Sequence, residues 1–284
     1  VSDLRLLIDD VAVVTGGAHG IGAATAQLFA EHGAVVYVAD IDAKGAQVVA
    51  RGIADAGGQA IAVTTDVRHA SAVAELEARV IEGHGRCDVL VNNAGHWVAV
   101  KDLVQGDPEH WQALYEINLL HIFRMTHAFL PGMLERGSGA IVNVSSIEGV
   151  RGYPQDPVYA AFKAAVLHFT RSLGVDVAGR GVRVNAIAPD LTNSVQSDFV
   201  AWDPPEWVDQ WPKWLPVGRM GVPEDQARVI LFLASELSEF VIGQTINTDG
   251  GTGAAGLVPD HPSPEPPLDQ PARRCLSRRC LRQG

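Results

Sequence analysis

Short apolar runs alternate with longer amphipathic segments along most of the chain. Val11–Val14, Val35–Ala39, Ala60–Thr64, Val89–Val91, Ala140–Val144 and Val182–Ala188 are rich in valine, isoleucine and alanine. They read as strands buried on both faces. A seventh run, Gly243–Thr248, closes on Asp249-Gly250-Gly251. Between the runs lie helical patterns at Ala23–Glu31, Ala43–Ala56, Ala70–Glu82 and Pro223–Ala234, and another from Tyr159 to about Ala178. A long helix opens on Asp107-Pro108-Glu109, carries Asn118 and runs towards Pro131. Asparagine is unfavourable in mid-helix, so Asn118 calls for a packing or hydrogen-bonding reason. Strand–helix alternation of this kind predicts an α/β fold, a doubly wound parallel sheet with right-handed crossovers.

Several runs end in residues that can carry chemistry. After Val14 comes Thr15-Gly16-Gly17-Ala18-His19-Gly20-Ile21-Gly22, and then a helix. A glycine turn between strand and helix lets backbone N–H groups approach a phosphate at a helix N-terminus. The second strand ends at Asp40, about 20 residues on, where a carboxylate can accept a ribose hydroxyl and repels a 2′-phosphate. Ile41 follows and no Arg or Lys is adjacent, so the expected cofactor is NAD, not NADP. The alternative is that Asp40 only caps the next helix. Asp66-Val67 lies just past the third strand; Asp66 either meets an adenine amino group or caps the helix starting near Ser71. Asn92-Asn93-Ala94-Gly95 follows the fourth strand and Ser145-Ser146 the fifth. The strand C-terminal ends are where an open α/β sheet binds ligands. Tyr159 and Lys163, four residues apart, share a helix face. An ammonium beside a phenol lowers its pKa from about 10 and makes a proton-transfer group.

Composition narrows the partners. At 284 residues and 47% hydrophobic content, the chain has room for one large core. Its net charge of −11 argues against nucleic acid. No apolar run approaches the ~20 residues of a bilayer span. Val1–Asp10 lacks the pattern of a signal peptide. Three cysteines, Cys87, Cys275 and Cys280, form no disulfide framework, and no metal-ligand spacing stands out. A reducing cytoplasm is the expected compartment.

Two segments stand apart. Residues 191–216 hold Trp202, Trp207, Trp211 and Trp214 and read either as a lid over a substrate or as packing and subunit contact. Residues 257–284 are rich in proline and arginine, and read as a mobile tail beyond the domain of residues 1–256.

Taken in order, the glycine turn, Asn92-Asn93-Ala94-Gly95, Asn118, Ser146, and Tyr159 with Lys163 make the chain resemble the short-chain dehydrogenase/reductase family, from Asp9 to about Gly256. The resemblance implies a single Rossmann-like domain. It implies an NAD-dependent oxidoreductase that interconverts a secondary alcohol and its ketone by hydride transfer. Asn118, Ser146, Tyr159 and Lys163 would be the catalytic set. Tyr159 would act as general acid and base, Ser146 would bond the substrate oxygen, and Lys163 would hold the nicotinamide ribose and lower the Tyr159 pKa. Asn118 would hold a relay water. Gly16, Ala18, His19, Gly20, Ile21, Gly22, Asp40, Ile41, Asp66, Val67, Asn93, Ala94, Gly95, Pro189, Leu191 and Thr192 would contact the cofactor. His96, Trp97, Glu148, Tyr153 and Asp190 would join Ser146 around the substrate.

The family's usual Pro-Gly after the sixth strand is Pro189-Asp190 here, which changes a position expected to need glycine. Ionised Glu148 and Asp190 facing inward would disfavour anionic substrates. The apolar surroundings suggest an aryl, alicyclic or steroid-like alcohol. The family commonly forms tetramers through the helices bearing Asn118 and Tyr159, so a homotetramer is expected. A silent NAD-binding sensor or scaffold is the alternative, but it would have lost Tyr159 or Lys163. An isomerase or dehydratase would need a larger substrate domain.

Overall fold

In the computed structural model, which describes residues 6–194, 197, 208, 213 and 215–255, the strands are β1 (Val11–Thr15), β2 (Val35–Asp40), β3 (Gln59–Thr64), β4 (Val89–Asn92), β5 (Gly139–Val144), β6 (Val182–Pro189) and β7 (Thr245–Thr248). All neighbours pair in parallel, in the order β3-β2-β1-β4-β5-β6-β7. The chain lays down β1 to β3 in one direction, then returns to place β4 on the other side of β1. That reversal opens a crevice beyond the C-terminal ends of β1 and β4. The tryptophans at 202, 207, 211 and 214 and the 257–284 segment lie outside the described residues.

The strand side chains alternate between two cores. Ala12, Val14, Val36, Val38, Val89 and Val91 face a cluster with Phe29 of α1 (Gly20–Glu31), Val49 and Ile53 of α2 (Ala43–Asp55), and Ile230 of α7 (Pro223–Ala234). Val11, Val13, Tyr37, Leu90 and Ile141 face the other side. There they meet Leu76 of α3 (Ala70–His84) and Phe129 of α5 (His121–Arg136). Each fully buried large side chain contributes about 2 kcal/mol relative to exposure.

The expected single helix through Asn118 is broken. α4 (Pro108–Tyr115) gives way to a π turn, Glu116–Leu120, before α5. Asn118 Nδ2 donates to the Leu114 carbonyl at 3.1 Å, taking the acceptor that its own N–H would use in an α-helix. Nor does Pro131 end the helix. α5 runs on to Arg136 and stops at Gly137 in the left-handed conformation, φ 69°. The carbonyl that Pro131 leaves unpaired belongs to His127, which is exposed to water. α6 (Pro157–Val177) is the last helix on this face and begins with its side-chain cap, Asp156.

Under the crevice, a polar tie crosses the sheet. Asn92 Nδ2 of β4 donates to Asn143 Oδ1 of β5 at 2.9 Å, and Asn143 Nδ2 donates to Thr170 Oγ1 of α6 at 2.9 Å. All three residues are fully buried. Asn143→Ala leaves Asn92 Nδ2 with only its longer bond to Thr126 Oγ1, at 3.4 Å, and opens a void. The expected loss is about 2–3 kcal/mol of unfolding free energy by urea titration; a loss within 0.5 kcal/mol would refute the role given to this tie.

Candidate active site

The turn after β1 is shaped for close backbone approach. Gly16 and Gly20 have φ of 63° and 51°, in the region that favours glycine. A Cβ on Gly22 would sit 2.0 Å from the Gly16 carbonyl oxygen. Asn93 holds the turn from β4: its Nδ2 donates to the Thr15 and Gly16 carbonyls at 2.9 and 3.1 Å. Thr15 Oγ1 in return accepts from Asn93 N and Ala94 N, at 3.0 and 3.1 Å. α1 starts at Gly20 with no side-chain cap and no acid in its first turn. Its leading N–H groups are unclaimed by side chains, as an anion site requires.

Asp40 closes this end of the site. Its carboxylate accepts from Ala18 N at 3.0 Å and Asp42 N at 2.9 Å, so it braces the glycine turn. The alternative of Asp40 as helix cap does not hold, because Asp42 caps α2 by accepting from Lys44 N and Gly45 N, each at 3.1 Å. His19 Nε2 lies 2.9 Å from Asp42 Oδ2. The Gly45 N–H, and then the His19 bond, hold the Asp42 carboxyl below its usual pKa. Ile41 is 61% exposed beside them, an apolar surface open to a ring. The turn, the uncapped helix and the two acids fit a dinucleotide.

Asp66 does not cap α3, whose cap position is His69 with no side-chain bond. Its carboxylate is instead gripped by Arg68 at 2.7 Å, and this hydrogen bond holds its pKa low. Val67 is buried in the core between sheet and helices.

The proton-transfer group stands on α6. Asp156 Oδ1 accepts from Tyr159 N at 3.0 Å, and Pro157 opens the helix, so Tyr159 sits in the first turn and Lys163 one turn on. Both side chains are buried, at 9% and 4% exposure. Lys163 Nζ donates to the Val144 carbonyl at 3.3 Å and lies 5.7 Å from the centre of the Tyr159 ring. Ser145 Oγ donates to the Lys163 carbonyl at 2.8 Å and pins α6 to the end of β5. Asn118 accepts from His96 N at 3.2 Å and donates to the His96 carbonyl at 2.7 Å, so it orders the loop beyond Gly95. A Cβ on Gly95 would meet Lys163 Nζ and Asn118 Oδ1 at 3.1 and 3.3 Å. The structure thus brings Asn118, Ser146, Tyr159 and Lys163 to one crevice with Asn93, Ala94 and Gly95.

Their ionisation departs from expectation. Burial pushes the Tyr159 phenol above its ordinary range; the Ser146 hydrogen bond opposes this, and Glu148 adds to it. Burial also depresses Lys163 to about 8. Desolvation of both groups outweighs the help a lysine gives a phenolate, so the expected lowering of Tyr159 by Lys163 is absent in the protein alone.

On the substrate side, Glu148 and Asp190 do not present free carboxylates. Arg151 Nη2 lies 2.9 Å from Glu148 Oε1 and 3.2 Å from Asp190 Oδ2. Asp190 also accepts from Thr252 Oγ1 and, at 2.8 Å, from Leu191 N. The position needs no glycine, because Asp190 is not among the residues with positive φ. Thr192 is buried and bridges the Asp190 carbonyl (2.9 Å) and Gln226 Nε2 (3.0 Å). Pro189 is paired with Thr248 in the sheet. Burial raises the Tyr153 phenol to about 12. His96 and Trp97 stack loosely, with ring centres 6.1 Å apart. Val98 beside them has φ 58°, strained for a β-branched residue.

Three residues escape a motif-based reading. Arg151 and Thr252 have only their loop positions as signal. His121, one turn beyond Asn118, is fully buried, and burial lowers its pKa to about 3.

Comparison with known proteins agrees with this geometry. Residues 16–253 match the family model described as Enoyl-(Acyl carrier protein) reductase. The chain is 44% identical over 241 residues to the cis-4-hydroxycyclohexanecarboxylate dehydrogenase of Sinomonas cyclohexanicum, covering 85% of this chain and 95% of that one. It is 38% identical over 243 residues to the 3-oxoacyl-(acyl-carrier-protein) reductase FabG of Thermotoga maritima, covering 85% and 96%. The crystal structure of a short-chain type dehydrogenase/reductase from Mycobacterium marinum superposes with a TM-score of 0.81 at 32% identity, covering 88% of this chain and 98% of that one. The chain belongs to the short-chain dehydrogenase/reductase family. It is an oxidoreductase of CH–OH and ketone groups that uses a nicotinamide cofactor.

The depressed Lys163 has a consequence for stability. Its folded pKa of about 8 lies below the unfolded value of about 10.4, so between them the unfolded chain binds more protons and stability rises with pH. Measured against Lys163→Met by urea unfolding, the wild type gains about 2 kcal/mol from about pH 7 to about pH 10. A flat difference would refute the buried, depressed amine.

Proposed function

We propose that this family member is an NAD-dependent oxidoreductase that interconverts a secondary alcohol and its ketone, with Tyr159 as general acid and base. The observation that carries the reading is the convergence of Ser146, Tyr159 and Lys163 with the loop that Asn118 holds, at the mouth of a glycine turn braced by Asp40. Bound NAD supplies the hydride acceptor or donor. The chain supplies the rest. Gly16, Gly20 and Gly22 shape the turn whose N–H groups would hold the pyrophosphate; Asp40 would accept from the adenosine ribose, and Lys163 would donate to the nicotinamide ribose. Leu191 and Thr192 would contact the carboxamide side.

Ser146 Oγ accepts from Glu148 N at 3.2 Å, which leaves its own proton to donate. In the free protein that proton reaches the Tyr159 oxygen; with substrate bound it would stabilise negative charge on the substrate oxygen. In oxidation Tyr159 takes the alcohol proton; in reduction it returns one. With a pKa near 8, Lys163 can lose and regain a proton at working pH, so it serves as the next carrier, and Asn118 orders the adjacent backbone.

NAD is favoured over NADP by charge. Asp40 and Asp42 both stand at the adenosine end, and two nearby cations are committed, His19 to Asp42 and Arg68 to Asp66. A 2′-phosphate would meet these two carboxylates, against the single charge of exposed Lys44 in the first turn of α2.

Arg151 offsets Glu148 and Asp190, so these two acids do not repel an anionic substrate as two bare carboxylates would. The alicyclic hydroxy acid dehydrogenase at 44% identity is what supports a free ring-bearing secondary alcohol over a carrier-bound acyl chain. Partly buried Tyr115, Phe123, Phe162 and Phe169 around Leu119, Ile122 and Val166 give the helices near Asn118 and Tyr159 an apolar face. That face supports a homotetramer. A free, buried Cys87 is in keeping with the cytoplasm.

The test is a panel of cyclic and acyclic secondary alcohols and ketones, with NAD(H) and NADP(H), following nicotinamide absorbance. Tyr159→Phe is expected to lose about 100-fold or more in kcat; near wild-type turnover would overturn the mechanism. Asp40→Ala is expected to weaken the preference for NAD by about tenfold. A wild type that prefers NADPH would overturn the cofactor assignment while leaving the chemistry standing.

A further inference from the structure

Asp190 occupies the position where the family usually has glycine, and its carboxylate is 5% exposed. It belongs to a continuous chain of contacts. Thr252 Oγ1, in the segment after β7, donates to Asp190 Oδ2. Arg151 Nη2 donates to Asp190 Oδ1 at 3.3 Å and to Glu148 Oε1 at 2.9 Å. Glu148 N donates to Ser146 Oγ at 3.2 Å. The chain therefore runs from the C-terminal segment, across the end of β6, to the serine. Asp249 braces its outer end by accepting from Gly251 N at 3.0 Å and Gly253 N at 2.7 Å.

We propose that Asp190 and Arg151 are positioning residues that keep the Ser146 hydroxyl on Tyr159 by clamping Glu148. This deepens the proposed function and rests on Ser146 and Tyr159 carrying the chemistry.

A serine hydroxyl has one proton and two lone pairs. The Glu148 N–H fills one lone pair, so the proton points elsewhere only while Glu148 stays in place. Glu148 sits in a single 3₁₀ turn, Ile147–Gly149, closed by Gly149 N to the Ser146 carbonyl at 3.0 Å and Val150 N to the Ile147 carbonyl at 2.8 Å. One such turn is weakly held by its own bonds. The Arg151 side chain fastens it to the end of β6, a strand paired on both sides by β5 and β7. A glycine at 190 would leave Arg151 with Glu148 and the more distant charge of Asp249, and the turn without its tie to the end of β6. A guanidinium suits the task because its planar fork reaches two carboxylates at once.

Direct electrostatics and positioning make opposite predictions. The groups that bear on Tyr159 are Ser146, Glu148, Tyr153 and Asp156, with Lys163 beside the ring. Arg151 and Asp190 bear on Glu148. Deleting the Asp190 charge removes an anion, which by itself favours the phenolate and lowers the Tyr159 pKa. Releasing Ser146 removes a hydrogen bond to the phenolate and raises it.

The experiment compares wild type, Asp190→Gly and Asp190→Asn, using the best substrate of the alcohol panel with NAD. It reads kcat/KM for oxidation against pH, and amide hydrogen exchange of residues 146–151. In Asp190→Gly, kcat/KM is expected to fall about tenfold. The pH at which activity rises is expected to move up by about one unit, and exchange in residues 146–151 to quicken about tenfold. Asp190→Asn keeps an acceptor for Arg151 and is expected to stay near wild type in both readouts. A downward or absent shift of the pH profile, with exchange unchanged, would overturn the proposal. If Tyr159→Phe stays active, the acid–base reading fails; exchange in Asp190→Gly still reports the clamp, and unchanged exchange then overturns it separately.

Discussion

A lysine ammonium taken almost wholly out of water is the most expensive feature of this protein, and much of the site can be read as its support. Isolated burial of such a charge costs several kcal/mol, and the group responds by releasing its proton more readily. Lys163 is offered the Val144 carbonyl at the end of β5, while Ser145 fixes the helix that carries it. Gly95 leaves room where a side chain would press on Nζ. The remaining penalty appears as a pKa near 8. An amine in that range can change charge during turnover, which an exposed lysine, titrating near 10.4, does rarely.

That arrangement depends in turn on the sheet's strand order. Because β4 lies on the opposite side of β1 from β2, the turn after β1 and the loop after β4 meet over one crevice. Thr15 and Asn93 lock them together with four hydrogen bonds between 2.9 and 3.1 Å. The loop then reaches Gly95 and His96, where Asn118 takes over. Asn118 can do so because its π turn frees the helix ladder at Leu114. A helical irregularity, costly in isolation, is thus the means of joining the cofactor side of the site to the proton-transfer side.

The elements that were legible from residue pattern share a physical basis. Continuous runs of valine, isoleucine and alanine admit few structures other than buried strands, so all seven strands, and the helices other than the one through Asn118, could be placed to within a few residues. The glycine turn, Asp40 and the Tyr159–Lys163 pair were also legible, since each needs a residue type at a fixed spacing. Pro131 misled because a proline reads as a stop, whereas a water-exposed carbonyl at His127 makes it tolerable within a helix. Tyr159 misled in ionisation, because adjacency of phenol and amine is visible in sequence and the depth of both is not. Arg151 was invisible for a related reason. Glu148 is only 3 residues away, but Asp190 lies 39 residues away, and only the folded sheet brings it to the same guanidinium.

The same distinction explains the acids of the substrate side. Read as a string, Glu148 and Asp190 are two negative charges beside a pocket, and they argue against an anionic substrate. In three dimensions one guanidinium spans both, and Thr252 takes part of the second. Burial still raises the Glu148 pKa, with Arg151 opposing, and the guanidinium offsets part of the negative charge that the two acids bring. Electrostatic inference from sequence fails wherever a counter-charge arrives through tertiary structure. At the adenosine end the counter-charges are His19 on Asp42 and Arg68 on Asp66. The adenosine end also draws on separated segments, with Ala18 and Asp40 lying 22 residues apart and His19 and Asp42 23, so the balance of charge there too depends on the fold.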